Sequence, residues 1–192
     1  MALISPQLVV IAGPNGAGKS TSAPALLPEG MPFINADDIA ARLDDATGNK
    51  EIAAGRELLN EWTRLEKEQA DFAVETTLSS VSLAPRIKRL KQAGYQFHLI
   101  YIWLPSVDVA IQRVAERVRL GGHNIPELTI SRRYARGINN CFNLYMPLAD
   151  SWVIYLNSVS GDLKCIAKND MDSDITVLSP EIWKLINDKA DR

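Results

Sequence analysis

The sequence predicts an α/β domain: a mainly parallel, doubly wound sheet of five strands with helices on both faces. Three observations carry that expectation. Short apolar runs alternate with stretches of helical periodicity, the pattern of strand–helix–strand units whose strands lie side by side in one sheet. The fourth run, Phe97 to Leu104, is apolar throughout apart from His98, as a strand covered on both faces requires. The first run passes straight into a glycine loop and then into a helix.

Taken in order, Leu8-Val9-Val10-Ile11-Ala12 is the first strand, followed by the loop and a helix from Lys19 to Leu27. Phe33-Ile34-Asn35 is a short second strand that ends at the acidic pair Asp37-Asp38. One of these aspartates is expected to cap a helix continuing into Ile39-Ala40-Ala41. Residues 49–68 are rich in Ala, Leu, Glu, Arg and Lys, which lose little side-chain freedom in a helix. Phe72-Ala73-Val74-Glu75 is the third strand, ending in Thr76-Thr77. Leu83, Ile87 and Leu90 recur at helical spacing, and Gly94 is placed to close that helix. Pro105 ends the fourth strand, and residues 107–120 read as a helix. The break Gly121-Gly122-His123-Asn124-Ile125-Pro126 separates it from another helix over 127–145. Trp152 to Leu156 is the fifth strand, and Lys164 to Ala167 a small antiparallel addition. Ser179-Pro180-Glu181 starts a last helix, with Ile182, Leu185 and Ile186 as its apolar face.

The chain of 192 residues is long enough to bury a core without staples, and no linker or repeat divides it. One domain over 1–192 is expected, with a lid at about 113–136 and a C-terminal strand and helix over 160–192. Lys and Arg total 21 against 23 Asp and Glu, a net of −2. This disfavours a globally basic nucleic-acid binder. No apolar run approaches the roughly 18 residues that span a bilayer. The N-terminus lacks the charged start and small-residue cleavage site of a signal peptide. Cys141 and Cys165, with two histidines, show neither CxxC nor zinc spacing. A soluble cytoplasmic protein with no membrane contact is the expectation.

Gly13-Pro14-Asn15-Gly16-Ala17-Gly18-Lys19-Ser20 fits G-x-x-x-x-G-K-[ST] throughout. Glycines let such a loop wrap closely, so that backbone N–H groups surround phosphate oxygens. The following helix N-terminus adds partial positive charge, and Lys19 a mobile full charge. Ser20 is the expected Mg²⁺ ligand, because that ion takes oxygen ligands and keeps several waters. A strand immediately before and a helix immediately after distinguish this loop from a chance glycine turn.

A phosphate loop establishes nucleotide binding and leaves the chemistry open. No N-K-x-D follows a strand and no strand ends in an aspartate–glutamate pair, which disfavours a small GTPase, a motor or a helicase. In a doubly wound sheet, ligands collect at the carboxyl ends of strands, where Asp37, Glu75 and Thr76 fall. Phosphoryl transfer to an alcohol needs a carboxylate to accept its proton and cations to spread the moving charge. Asp37 is the candidate base, ahead of Asp38. Glu75 is a candidate for a magnesium-bound water or a substrate hydroxyl, and Thr76 or Thr77 for substrate contact. Each has a plain structural alternative, as a rim carboxylate or a turn hydroxyl.

Residues 111–136 carry six arginines (113, 117, 119, 132, 133, 136) against Glu116 and Glu127. That local net of +4 leaves −6 for the rest of the chain. Arg113 and Arg117, and likewise Arg132 and Arg136, share helix faces at i,i+4. Guanidinium groups stay charged and grip phosphate oxygens in a bidentate fork, so the segment reads as a lid over a nucleotide. Arg117 and Arg133 are its catalytic candidates and Arg113 a nucleotide-binding one. His123 is expected to shape the lid loop. Trp62, Trp103, Trp152 and Trp183 read as core, while Tyr134 and Tyr145 are weaker candidates for contact with a substrate ring.

Four blocks together resemble the zeta-toxin family of P-loop kinases: Gly13 to Thr21, Ile34 to Ala40, Glu75 to Ser79, and Gly121 to Pro126 followed by Arg132-Arg133-Tyr134. They run in order from about Val9 to Tyr145. The resemblance implies ATP- or GTP-dependent phosphorylation, with Asp37 as base, Lys19 on the phosphates, Arg117 and Arg133 as lid arginines, and Glu75 toward the substrate. It implies nucleotide contacts along 13–21, Thr21 included. It also implies a nucleotide-sugar acceptor, UDP-N-acetylglucosamine, and an antitoxin partner. The chain is shorter than classical zeta toxins, leaving little room for a sugar-nucleotide platform. The sequence thus points to a magnesium- and ATP-dependent kinase of a small hydroxyl compound. A nucleoside or nucleic-acid-end kinase and a nucleotide-dependent binding module are the alternatives.

Overall fold

The structure, a computed structural model, describes residues 5–42, 50–158, 162–171 and 173–190. Among the described residues, seven strands form one sheet: β1 (Gln7–Ala12), β2 (Phe33–Ile34), β3 (Phe72–Thr76), β4 (Gln96–Trp103), β5 (Ser151–Asn157), β6 (Leu163–Asn169) and β7 (Thr176–Val177). Their spatial order is β2-β3-β1-β4-β5-β6-β7. The first five pair in parallel, as the apolar runs imply. The expected count of five is nevertheless corrected to seven, because β6 and β7 extend the sheet with antiparallel pairing. Their signal in the sequence is weak for a physical reason. β6 buries Ile166 and Ala167 but leaves Lys164 exposed, and β7 is too short to show a period.

The helices are α1 (Lys19–Leu26), α2 (Ala36–Arg42), α3 (Lys50–Lys67), α4 (Leu83–Gln92), α5 (Val107–Arg119), α6 (Glu127–Asn140) and α7 (Pro180–Ala190). Alternate residues of each strand face opposite sides of the sheet, and two cores result. Leu8, Val10, Phe72, Phe97 and Leu99 pack with Trp62, Ile87, Ile138 and Ile186 on one side. Val9, Ile11, Ala73 and Ile102 pack with Ala23, Ala110, Val114 and Ile130 on the other. Each such large side chain contributes about 1.5–3 kcal/mol by leaving water.

Gly94 closes α4 at φ +94°, and the Tyr95 N–H reaches back to the Leu90 carbonyl at 3.1 Å. The helix expected over 127–145 is interrupted: after Asn140 the backbone widens into a π turn, Cys141–Tyr145, and then a 3₁₀ turn, Met146–Leu148. Leu185 is not part of the apolar face of α7, being 46% exposed; Ile186 and Ala190 are buried instead. Trp62, Trp103 and Trp152 are core, and Trp183 stacks on Trp152 at 5.7 Å. Tyr134 and Tyr145 are also core, with hydroxyls spent on the Leu104 and Ser80 carbonyls, so neither is free for a substrate ring. Asn49, and residues 160–161, 172 and 191–192 of the expected C-terminal region, lie outside the described residues.

His98, the one polar residue in the fourth apolar run, bridges Ser151 Oγ (2.7 Å) and Gln7 Oε1. The amide oxygen only accepts, so Nε2 donates and Nδ1 accepts from the Ser151 hydroxyl. Burial lowers the His98 pKa below 6.5, opposed by Asp150 and assisted by Lys91. A depressed folded pKa means that the unfolded chain binds the extra proton first, so stability is lost as pH falls below 6.5. His98→Gln is therefore expected to flatten the fall in Tm between neutral pH and about pH 5; thermal melts across that range check it.

Candidate active site

β1 lies between β3 and β4, so the chain winds to opposite sides of it and a crevice opens at its carboxyl end. Residues 13–18 form the loop there, with Gly13, Gly16 and Gly18 at φ of +144°, +77° and +81°, values that side chains rarely tolerate. Space is as tight as conformation: a Cβ on Gly13 would stand 2.2 Å from the Ile102 carbonyl oxygen. The Ala17 N–H closes a turn onto the Pro14 carbonyl at 3.2 Å.

Lys19, the first residue of α1, is only 6% exposed. Its Nζ donates to the Pro14 carbonyl at 3.1 Å and lies 3.6 Å from the Glu75 carboxylate. Burial pushes this ammonium below its ordinary pKa; Glu75 and then Asp37 oppose the shift, and Arg117 adds to it. Asp37 and Arg117 thus act on the same buried cation from different elements.

Ser20 Oγ donates to Glu75 at 2.7 Å. Asn35, 4% exposed, donates through Nδ2 to both Ser20 Oγ (3.2 Å) and Glu75 (3.0 Å). Its Oδ1 accepts the Asp37 N–H at 2.9 Å. Asn35 is therefore the cap of α2, a correction to the expectation that Asp37 or Asp38 fills that role. Both aspartates sit in the first turn instead, where the helix dipole favours negative charge. Asn35 was not among the sequence candidates, although an asparagine just before a helix is a recognisable capping signal.

Thr76 Oγ1 accepts the Leu78 N–H at 3.1 Å, and Thr77 pairs with Ser79 at 2.9 Å. These hydroxyls hold a turn in which buried Leu78 adopts φ +53°. Thr21 is exposed in the first turn of α1. Of the lid arginines, Arg117 donates to the His123 carbonyl at 3.1 Å, and its Nε is buried without a partner among the described residues. Arg113 donates to the carbonyls of Gly16 (3.4 Å) and Ser158 (2.6 Å). Arg133 is half-buried on α6, while Arg119, Arg132 and Arg136 are exposed. The structure thus joins Lys19, Ser20, Asn35 and Glu75 by direct contacts at one crevice, with Asp37 tied to them through its N–H to Asn35. Arg117 bonds the His123 carbonyl, and among the described residues no contact ties Arg133 to the crevice.

The donor set is one of hard oxygens. Ser20 Oγ beside the Glu75 carboxylate suits magnesium, which is commonly held by one or two protein oxygens with phosphates and waters. Among the described residues, no group of three or more His, Cys, Asp or Glu is arranged to cage a metal. Nor does any helix among them have the length and apolarity to cross a membrane.

An uncharacterized protein of Haemophilus influenzae (strain ATCC 51907 / DSM 11121 / KW20 / Rd) is 33% identical over 123 residues, covering 64% of this chain and 88% of that one. The fold is similar to that in the AvrRxo1-ORF1:-ORF2 complex with ATP, at TM-score 0.75 and 18% identity over 95% of this chain. This chain spans 63% of that structure's chain. It is also similar to the PezAT chromosomal toxin–antitoxin system of Streptococcus pneumoniae, at TM-score 0.63 and 16% identity, covering 97% of this chain and 87% of that one. The sequence profile of the AAA domain family (AAA_33) matches residues 8–136, from β1 through the last lid arginine. The chain belongs to the AAA domain family.

Proposed function

We propose that this protein is a magnesium- and ATP-dependent kinase that transfers the γ-phosphoryl group to a hydroxyl of a small acceptor. The observation that carries this reading is the cluster around the loop: buried Lys19 lies 3.6 Å from Glu75, Ser20 and Asn35 bond the same carboxylate, and Asn35 Oδ1 holds the N–H of Asp37 at the start of α2. A nucleotide-binding module needs only the loop. A carboxylate beside the loop, the place that Asp37 takes in the first turn of α2, is what an in-line transfer to an alcohol requires in addition.

In this mechanism the amides of residues 13–20 and Lys19 hold the donor phosphates. Magnesium, held by Ser20 with Glu75 behind it, supplies neutralisation of the β- and γ-phosphate charge when bound. Asp37 orients the acceptor hydroxyl and takes its proton as the new P–O bond forms. Arg117, joined by Arg133 on lid closure, spreads the charge of the moving phosphoryl group; such an arginine is worth roughly 10³–10⁵ in rate. Asn35 keeps Ser20, Glu75 and the start of α2 in register. GTP as the donor, a nucleotide sugar such as UDP-N-acetylglucosamine as the acceptor, an antitoxin partner and a cytoplasmic location belong to this proposal. The zeta-toxin resemblance supports the acceptor and the partner, and the likeness in fold to the PezAT toxin–antitoxin system is compatible with the partner. One domain over 1–192 with an arginine lid completes it.

The test is ADP release with ATP or GTP in the presence of UDP-N-acetylglucosamine, a nucleoside or a 5′-hydroxyl oligonucleotide. Stimulation by a small hydroxyl compound is expected. ATP binding with no acceptor-dependent release in a metabolite extract would favour a binding module.

A further inference from the structure

We propose that Asn157 and Arg113 are positioning residues of the phosphate loop, fixing its peptide planes so that its amides face the phosphates. The inference rests on the reading of residues 13–20 as a triphosphate cradle. In a trans peptide the C=O and N–H point in opposite directions across the plane. Whatever holds a loop carbonyl outward therefore aims the next residue's N–H inward. Asn157 Nδ2 donates to the Ala17 carbonyl at 2.9 Å, which sets the Gly18 amide. Arg113 Nη1 donates to the Gly16 carbonyl at 3.4 Å, which holds the Gly16–Ala17 peptide, whose N–H closes the turn onto the Pro14 carbonyl at 3.2 Å, and so fixes the turn that presents the Gly18 amide. Arg113 Nη2 donates to the Ser158 carbonyl at 2.6 Å, so one guanidinium ties the loop to the end of β5, where Asn157 also sits.

Two further observations mark this as a built brace. Asn157 is 5% exposed and its Oδ1 is buried with no partner among the described residues. A buried orphan acceptor is unfavourable, and an apolar residue at the end of β5 would avoid it; what the asparagine provides in exchange is its donor to the loop. The approach is also close. A Cβ on Gly18 would stand 2.8 Å from Asn157 Nδ2, and one on Gly16 would stand 3.0 Å from Arg113 Cβ. The loop is thus shaped to accept both braces. Asn157 carries no charge, so any effect of its removal on phosphate binding is one of geometry.

The experiment titrates wild type and Asn157→Ala calorimetrically with ATP and with inorganic tripolyphosphate, alongside thermal melts. Asn157→Ala is expected to keep its Tm and to weaken both ligands by the same factor, about tenfold. Unchanged affinity for both overturns the inference. So does a loss confined to ATP, since Asn157 would then touch the nucleoside and not the cradle. Arg113→Lys, which keeps the charge but loses the fork to the Gly16 and Ser158 carbonyls, is the second variant; should Asn157→Ala not fold, the same common factor in Arg113→Lys sustains the inference and its absence ends it. Wild type that binds neither ligand would overturn the triphosphate reading itself, an outcome distinct from bound wild type with unaffected variants.

Discussion

Asp37→Ala is expected to remove phosphoryl transfer while leaving the grip on ATP. Turnover falls by about 10²–10⁴-fold, the range that a positioned general base contributes. The affinity for ATP stays, because the loop amides and Lys19 make their contacts without this carboxylate. The variant folds: the cap of α2 is the Asn35 side chain accepting the backbone N–H at position 37, and alanine keeps that N–H and favours helix. Asp38 is the internal control. It lines the cleft between α2 and α3 with Ile39, Arg42 and Glu57, about 100° round the helix from Asp37, so Asp38→Ala is expected to retain turnover. Steady-state kinetics with an ATP titration separate the two variants. Equal losses in both would mean that the charge of the first turn matters, and not one aligned base.

Lys19→Met is the second large effect. Removing the buried ammonium deletes the full charge beside the phosphates, and kcat/KM is expected to fall by about 10²–10³-fold, as when one preorganised donor is lost from a transition state. The empty protein responds differently. The ammonium is desolvated strongly enough to lie below its ordinary pKa, so methionine of similar length relieves a burial cost. Glu75 keeps Ser20 and Asn35 as donors. The Tm is therefore expected to hold or rise while activity disappears. A fall in Tm with activity retained would make Lys19 a structural residue.

The parallel strands and the loop were legible because their signals are local. Five apolar runs mark β1 to β5, and an eight-residue motif flanked by strand and helix specifies the loop. The place of Glu75 beside the loop was legible through topology, since β3, which carries it near its end, finishes on the same side of the sheet as β1. What escaped is set by tertiary register. Asn35, Asp37 and Asp38 are all good capping residues, and only the entry angle of α2 decides that Asn35 caps. The partner of Arg113 depends on how α5 packs against the loop, which helical periodicity does not encode. Asn157 meets Ala17 across 140 positions of sequence, and an asparagine ending an apolar run carries no mark of that contact. Of the two added strands, β6 was legible in part, as the antiparallel addition over Lys164 to Ala167, while the two-residue β7 escaped for want of length.

Incubation of wild type and Asp37→Ala with γ-labelled ATP, magnesium and a small-molecule extract, read by mass spectrometry, tests the proposed chemistry most directly. A wild-type product one phosphoryl group heavier than its acceptor, labelled, formed in step with ADP and missing with Asp37→Ala, is the predicted result. ADP accompanied only by free labelled phosphate, or the same product from both proteins, would contradict it.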